Sequence, residues 1–550
     1  MRRTIPEHES MTVELKSDAK RLRDADLAAA VVCLANTDGG ELYLGVEKDG
    51  QITGLHAEHL NLTGLAALIA NRTVPPVSVR VTAVEEAGTL VARIEVPKSH
   101  RLVATADGLL QRRRLKADGS PECVPFLPHE FASRQSDLGL LDYSALPVAG
   151  ASEQDLDPLE RQRLRQMVER FGGDRALLGL GDRELDGALG LVRTEEGRRV
   201  PTVTGLLLLG LEPSLRAHLP THEVAFQVLE GTEVRVNDFH RWPLLRVFER
   251  IEEQFSTRVT EEEIQVGLFR VPIPTFDRRA FRETFINAVC HRDYTRLGAV
   301  HVRWNDDGLT VSNPGGFVEG VTLENLLTVE PRPRNPALAD ALKRIGLAER
   351  TGRGVDLIFK GLLRYGRPPP DYGRSDANGV VVRFSQAEAD VPFLRMILEY
   401  EDRRRVPLAL DALIALADLR EGRRVDVGQV AKAIQKDSTL ARGVLEGLVE
   451  AGLVEAHGVK RGRTYTLSAK VYRNLGRQAE YVRQAGFEPI QQEEMVLRYV
   501  REHGNIRRRD VMDLCRLGEH QASRLLKQLV EAGRLRRTGT RKAAVYERGT

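Results

Sequence analysis

The sequence predicts a multidomain α+β protein, on three observations. Its 550 residues exceed what a single hydrophobic core usually serves. Strand-like alternation and helix-like spacings of three and four interleave through the first 386 residues. The last third then repeats itself, with Leu448-Val-Glu-Ala-Gly452 returning unchanged as Leu529-Val-Glu-Ala-Gly533. Composition is ordinary for a globular protein, at 42% hydrophobic and 29% charged, and the net charge of +3 selects no partner. No apolar run approaches the roughly 18–20 residues of a membrane span. The N-terminus lacks the apolar core of a signal peptide. Cys33, Cys123, Cys290 and Cys515 stand far apart, giving neither a zinc spacing nor a disulfide framework. A cytoplasmic protein with no membrane partner is the expectation.

Residues 1–145 form the first expected domain. Glu9-Ser-Met-Thr-Val-Glu14-Leu-Lys16 alternates like a half-buried strand, and Asp26–Ala35 is a helix. Asn36-Thr-Asp-Gly-Gly40 is a turn rich in residues that tolerate positive φ. Glu41–Val46 is the next strand, and Val77–Val84 and Thr89–Val96 follow the Pro75-Pro76 break. Glu-Ser-x-x-x-Glu-Leu-Lys, with Leu-Ala-Asn-Thr-x-Gly-Gly-x-Leu-Tyr-Leu-Gly-Val and then Gly50 and Gly54, resembles the Schlafen-type Alba domain. That resemblance implies nucleic-acid binding and, by similarity to the animal Schlafen proteins, RNA cleavage by three carboxylates. Glu9 and Glu14 match the first two positions, and Glu47 stands nearest the third. Such a trio would hold divalent metal; equally, Glu14 and Lys16 form a surface pair. Arg112, Arg113 and Arg114 suit phosphate contacts or a solvated basic strand edge.

Residues 146–275 read as a connecting α+β domain. Helices are expected at Pro158–Phe171 and Pro243–Phe255, and a strand at Glu223–Leu229. Val203–Leu211 reads as a buried strand, and the wider run Pro201–Gly210 as helical or extended. No acid, base or nucleophile converges there, and His222 and His240 lack ligand spacing.

Residues 276–386 carry the main chemistry. Phe281, Phe285, Ala288 and Val289 recur on one helical face, while Glu283 and Asn287, four apart, project together from another part of the same helix. Two strands joined by Asn305-Asp-Asp-Gly308 make a hairpin, followed by Asn313-Pro-Gly-Gly316. Thr351-Gly-Arg-Gly354 then opens a helix, whose free N–H groups and positive dipole end suit phosphate. In that order, with Asn-Ala-x-x-His-Arg-Asp-Tyr and Arg-Asn-Pro-x-Leu-Ala, the region resembles the GHKL-type ATPase domain. More narrowly it is similar to the branch found in bacterial RecG-like transcriptional regulators, which pair it with a Schlafen-type Alba domain. The resemblance implies ATP and Mg²⁺ as cofactors. Glu283 would polarise water and Asn287 would coordinate Mg²⁺. Gly315 and Gly316 would border adenine, and Thr351, Gly352 and Gly354 would face the phosphates. Asn313 stands where the family usually reads adenine with Asp. Binding is expected; hydrolysis is left open.

The C-terminal repeat, residues 387–475 and 491–550, looks like two winged helix-turn-helix domains. The expected helix pairs are Val427–Ile434 with Thr439–Glu450, and Arg509–Cys515 with Glu519–Glu531, each followed by two short strands. Residues 491–550 hold 14 Lys or Arg against 8 Asp or Glu, which favours DNA phosphates. Gln521, Arg524 and Lys527 would face a groove, and Arg507, Arg508, Arg509, Arg541 and Lys542 the backbone. Thr439, Arg442, Arg461 and Arg463 are their counterparts in the first copy, which also suits docking to protein. The sequence therefore predicts a nucleotide-responsive DNA-binding transcriptional regulator, dimeric because paired half-sites reward two-fold symmetry. The alternative is a metal-dependent endonuclease acting on RNA or DNA through Glu9, Glu14 and Glu47.

Overall fold

A parallel pair of short strands starts the chain, Val13–Lys16 beside Gly40–Leu44. Such a pair needs a crossover, supplied by the helix Asp24–Ala35, whose last six residues are all buried. Thr89–Val96 and Arg80–Glu86 complete an otherwise antiparallel four-stranded sheet. The computed structural model describes residues 5–86, 88–116, 118–127, 130–266, 269–349, 352–422, 424–458, 462–474, 489–515, 517–539 and 544–549. The Asn36-Thr37 turn does more than end the helix. The Asn36 side-chain amide donates to Val103 O (2.8 Å) and Gln111 O (2.9 Å) and accepts from Val103 N (2.9 Å). Thr37 Oγ1 accepts from Arg113 N at 2.8 Å. These bonds hold the hairpin Gln111–Leu115/Pro121–Pro125 against the helix. Cys33 and Cys123 close the same junction as a disulfide. That corrects the expectation of unpaired cysteines: the partners are 90 residues apart, and only the folded hairpin brings them together.

The boundary expected at residues 275/276 runs through one sheet and one core. Its five strands lie in the order Glu233–His240, Val224–Glu230, Val300–Asn305, Gly308–Pro314, Gly379–Ser385. Val224–Glu230 and Val300–Asn305 are parallel, so the chain must cross over between them, through the helices Leu244–Ser256 and Arg278–His291. A single apolar cluster runs from Ala151 to Phe384. The connecting segment thus supplies two strands to the sheet that carries Asn313. Of the helix and strand readings open for Val203–Leu209, the structure takes the helix. Thr202 caps it, its hydroxyl accepting from Gly205 N at 3.0 Å. Leu206, Leu207, Leu208 and Leu209 are wholly buried, and leucine is a strong helix former.

The C-terminal third forms two units with the same element order. In the first, Leu410–Gly422, Val427–Ala433 and Ser438–Glu450 pack on a sheet ordered Val425–Asp426, Thr464–Leu467, Val454–His457. In the second, Pro489–His503, Arg508–Cys515 and Glu519–Glu531 pack on Asn505–Arg507, Val545–Arg548, Leu535–Thr538. Each has its own apolar core. No helix among the described residues is long and apolar enough to cross a membrane.

Candidate functional site

Asp277 caps the helix Arg278–His291 by accepting from Ala280 N at 2.8 Å. One face is driven into the core: Phe281 stacks on Phe255 with ring centroids 3.9 Å apart, and Phe285, Ala288 and Val289 are buried. Glu283 and Asn287 instead line a cavity of about 200 Å³, together with Asn313, Gly316, Gly352 and Gly354. Chain order brings together the helix, the strand end and the start of the helix Gly354–Leu363.

Glu283 is only 5% exposed and makes no ion pair among the described residues. Burial pushes its carboxyl up to about 7; the Glu349 carboxylate adds to the rise, while the Arg282 and Lys343 charges and a hydrogen bond from the Glu349 backbone oppose it. A carboxyl in that range can take or release a proton near neutral pH. Asn287 forms no side-chain hydrogen bond among the described residues, so its amide is available to a ligand. His291, one turn on, is pushed down to about 4 by burial and is neutral.

A Cβ at Gly354 would meet the Glu283 carboxyl group and push it aside, so glycine here keeps that carboxyl against the helix start. Arg353, at the N-cap, makes no side-chain capping bond, leaving first-turn N–H groups at the cavity wall. Gly352 has a φ of +77°, the left-handed region, and a side chain there would also meet Pro331. Asn313 is buried at the end of Gly308–Pro314. Its Nδ2 donates to Pro314 O (3.2 Å) and, more weakly, to Gly315 O (3.5 Å). Two carbonyls can only accept, so they orient the amide and leave Oδ1 as its acceptor. Gly316 reaches the cavity, whereas Gly315 packs on Asp293. Thr351 lies outside the described residues.

The polar motifs flanking this helix hold its end. Arg292, fully buried, donates to the carbonyls of Thr221, Gly298 (2.6 Å) and Arg296 (3.4 Å). Asp293 accepts from Ser133 Oγ (2.5 Å) and Thr295 N (2.9 Å). Asn335 Nδ2 donates to Cys290 O and Arg292 O, both at 2.8 Å. Arg334 donates to His291 O (3.0 Å) and Gly316 O (2.8 Å) and pairs with Asp137. Asn335 and Arg334 satisfy the carbonyls of Cys290 and His291 at the helix C-terminus, while Arg292 and Asp293 tie the segment after it to its neighbours, so Glu283 and Asn287 are fixed from behind. Lys343, Glu349 and Tyr372 also line the cavity. Sequence reasoning missed them because no local pattern marks them.

The three N-terminal carboxylates have other occupations. Glu14 is buried against Arg113, which also donates to Val13 O (2.8 Å), and pairs with Lys16 at 2.6 Å. Glu9 accepts from Leu15 N (3.2 Å). Glu47 accepts from Ser17 Oγ (2.5 Å) and Thr53 Oγ1 (2.9 Å). Among the described residues, no group of three or more His, Cys, Asp or Glu could hold a metal ion. The arginine run is likewise engaged, Arg112 with Glu130 and Arg114 with Glu122 (2.7 Å). Arg113 is 3% exposed, which corrects its reading as a phosphate contact: its charge is spent on Glu14.

In the second C-terminal unit Arg507, Arg508, Arg509, Gln521, Arg524 and Lys527 are all exposed. Arg508 pairs with Glu519 (2.8 Å) and Lys527 with Glu531 (3.6 Å), surface pairs that a phosphate would readily displace. In the first unit Thr439 and Arg442 are exposed, but Arg463 is tied to Glu446 at 3.1 Å. Arg461, Arg541 and Lys542 lie outside the described residues.

Residues 9–118 match the family described as "Schlafen, AlbA_2". Residues 298–384 match "Putative ATP-dependent DNA helicase recG C-terminal". That span holds Asn313, Gly316, Gly352 and Gly354 and begins just after the helix bearing Glu283 and Asn287. Residues 132–225 match a "Domain of unknown function (DUF8451)". No curated protein matches the chain. Among solved structures, the DIP2311 protein from Corynebacterium diphtheriae is 23% identical, over 98% of this chain and 95% of its own, with a TM-score of 0.51; the likeness is one of fold. The N-terminal domain of a RecG-related protein from Nitrosomonas europaea is 20% identical over 18% of this chain and 72% of its own, with a TM-score of 0.16. Two regions of the chain are thus similar to the Schlafen AlbA_2 and RecG C-terminal families.

Proposed function

We propose that this protein is a nucleotide-responsive DNA-binding transcriptional regulator, binding ATP in the cavity beside Glu283 and DNA through its C-terminal units as a homodimer. One observation carries the nucleotide reading. A buried carboxyl without an ion pair, an unengaged amide and a glycine-started, side-chain-uncapped helix N-terminus converge on one cavity. The oxygen donors fit Mg²⁺, which usually takes one or two protein oxygens and completes its shell with phosphate and water. Asn287 would hold it, and Mg²⁺ would neutralise phosphate charge. The helix start at Gly354 would bind the phosphates through its N–H groups. Asn313 Oδ1, an acceptor, would accept from the 6-amino group of adenine, where guanine instead carries a carbonyl that cannot donate. Glu283 would accept a proton from water in slow hydrolysis, and nucleotide binding is the activity proposed.

The C-terminal units have the element order of winged helices. The exposed Gln521, Arg524 and Lys527 lie along the Glu519–Glu531 helix, which would enter the major groove. The metal-dependent nuclease reading lacks a comparable convergence, because Glu14 is held by Arg113 and Lys16. Calorimetric titration with Mg·ATP should show one site per chain, with GTP at least about tenfold weaker, and Gly354→Val should weaken ATP by at least about 100-fold, equivalent to about 2.7 kcal/mol. Undiminished binding by the variant would place the nucleotide elsewhere. Cleavage of RNA or DNA that Glu14→Ala abolishes would move the function to the N-terminal region.

A further inference from the structure

The cavity is covered by an irregular loop, residues 320–333, which contributes Val321, Leu327 and Pro331 to its wall. Asn325 organises the loop: its Oδ1 accepts from Thr322 N and its Nδ2 donates to Gly320 O, each at 2.8 Å. The loop does not end at the cavity. Gln435, in the turn between the helices Val427–Ala433 and Ser438–Glu450 of the first C-terminal unit, reaches across to it. Its Oε1 accepts from Leu327 N at 2.8 Å, and its Nε2 donates to Leu323 O at 2.7 Å. One side chain thus satisfies a donor and an acceptor of the loop backbone across more than 100 residues of sequence.

Gln435 holds this position at a φ of +56°, a region non-glycine residues enter at a cost. Other contacts join the elements around the cavity to the same unit. Leu327 packs on the apolar core of the first unit, and Leu363, near the end of the helix that begins at Gly354, belongs to that core. Lys436, next to Gln435, pairs with Asp411 at 2.6 Å. Asp356, on the cavity wall, lies close enough to feel both charges.

We propose that Gln435 makes the loop over the cavity and the helix pair of the first C-terminal unit one moving part, so that a nucleotide seated under the loop displaces that unit. The inference rests on the nucleotide reading of the cavity and adds its route of transmission. Gln435 is a positioning residue, since it touches the loop backbone and not the ligand. It also gives the two C-terminal units different work: the first senses the cavity, leaving the second free for DNA. A ligand can shift the unit only by its differential affinity for the two loop positions.

The test is hydrogen–deuterium exchange on the full chain with and without Mg·ATP, beside calorimetry of ATP binding. Two variants remove the reach of the side chain while suiting the positive φ: Gln435→Gly and the shorter Gln435→Asn. For the wild type, ATP should slow exchange by at least about threefold both in the loop and across residues 427–442. In both variants ATP affinity should stay within about threefold and the loop should still respond, while the response of residues 427–442 disappears. A purely structural role would instead alter exchange there without ATP and leave the ATP-induced change intact. Wild-type binding with no response in residues 427–442, or a response that survives both substitutions, overturns the latch and leaves the nucleotide site standing. No ATP binding by the wild type overturns both.

Discussion

Glu14 and Glu283 are equally buried, each 5% exposed, yet they keep opposite company. Glu14 faces the Arg113 guanidinium and the Lys16 ammonium, so its charge is neutralised within the N-terminal fold. Glu283 has no ion pair among the described residues, a second carboxylate nearby in Glu349, and a glycine where a side chain would have filled the space. Burial alone does not mark a functional carboxylate; what the fold places opposite it does. A paired carboxylate belongs to the architecture, whereas one held unpaired at a cavity is kept at an energetic cost that folding alone does not require.

The comparison breaks most visibly through Arg113. Arg113→Ala leaves Glu14 with Lys16 alone, and removing one partner of a buried pair should destabilise the protein by about 3 kcal/mol, read as a lower denaturation midpoint in urea. A loss under about 1 kcal/mol would mean that Glu14 never depended on the pair, and its likeness to Glu283 would return.

Glu283 should behave in the opposite sense. Its carboxyl titrates near 7 in the fold against an ordinary 4.5. The native state therefore binds more protons than the unfolded chain between those values, and stability falls as pH rises from about 4.5 through about 7. Glu283→Gln removes that dependence, so above pH 7 the variant should be the more stable protein, by up to about 3 kcal/mol. Thermal melts at pH 5 and pH 8 supply the check: a substitution that destabilises equally at both would show Glu283 to be a partnered carboxylate after all.

A smaller effect extends the same logic to cations. Arg524 and Lys527 are exposed, while Arg463 of the first unit is tied to Glu446. Replacing Arg524 and Lys527 with alanine should weaken duplex DNA binding by about tenfold and reduce the slope of log affinity against log salt by about 2. Arg463→Ala should change affinity by no more than about twofold. Equal losses from both would mean that the two units share the DNA.

Local patterns were legible in the sequence. The spacing of Phe281, Phe285, Ala288 and Val289 gave the buried face of the helix, and placing Glu283 and Asn287 four apart put them together at one cavity. The Asn305–Gly308 hairpin and the order of elements in the C-terminal repeat were equally readable. What escaped was pairing over long sequence distances. The Cys33–Cys123 bond, the Arg113–Glu14 pair and the reach of Gln435 to the loop depend on folded neighbours, and no periodicity encodes them. Of the two strands between Val224 and His240 only the first is readable in the sequence, and it falls in the expected connecting domain because nothing local says which sheet a strand joins. Val203–Leu209 stays open between helix and strand in the sequence for another reason: an apolar run buried on every side carries no period to separate them.

The most direct test of the nucleotide site is a structure determined with a non-hydrolysable ATP analogue and Mg²⁺. Density for the phosphates should lie between Glu283, Asn287 and the helix start at Gly354, with the base against Asn313. Density elsewhere, or an empty cavity at saturating analogue, would contradict the account.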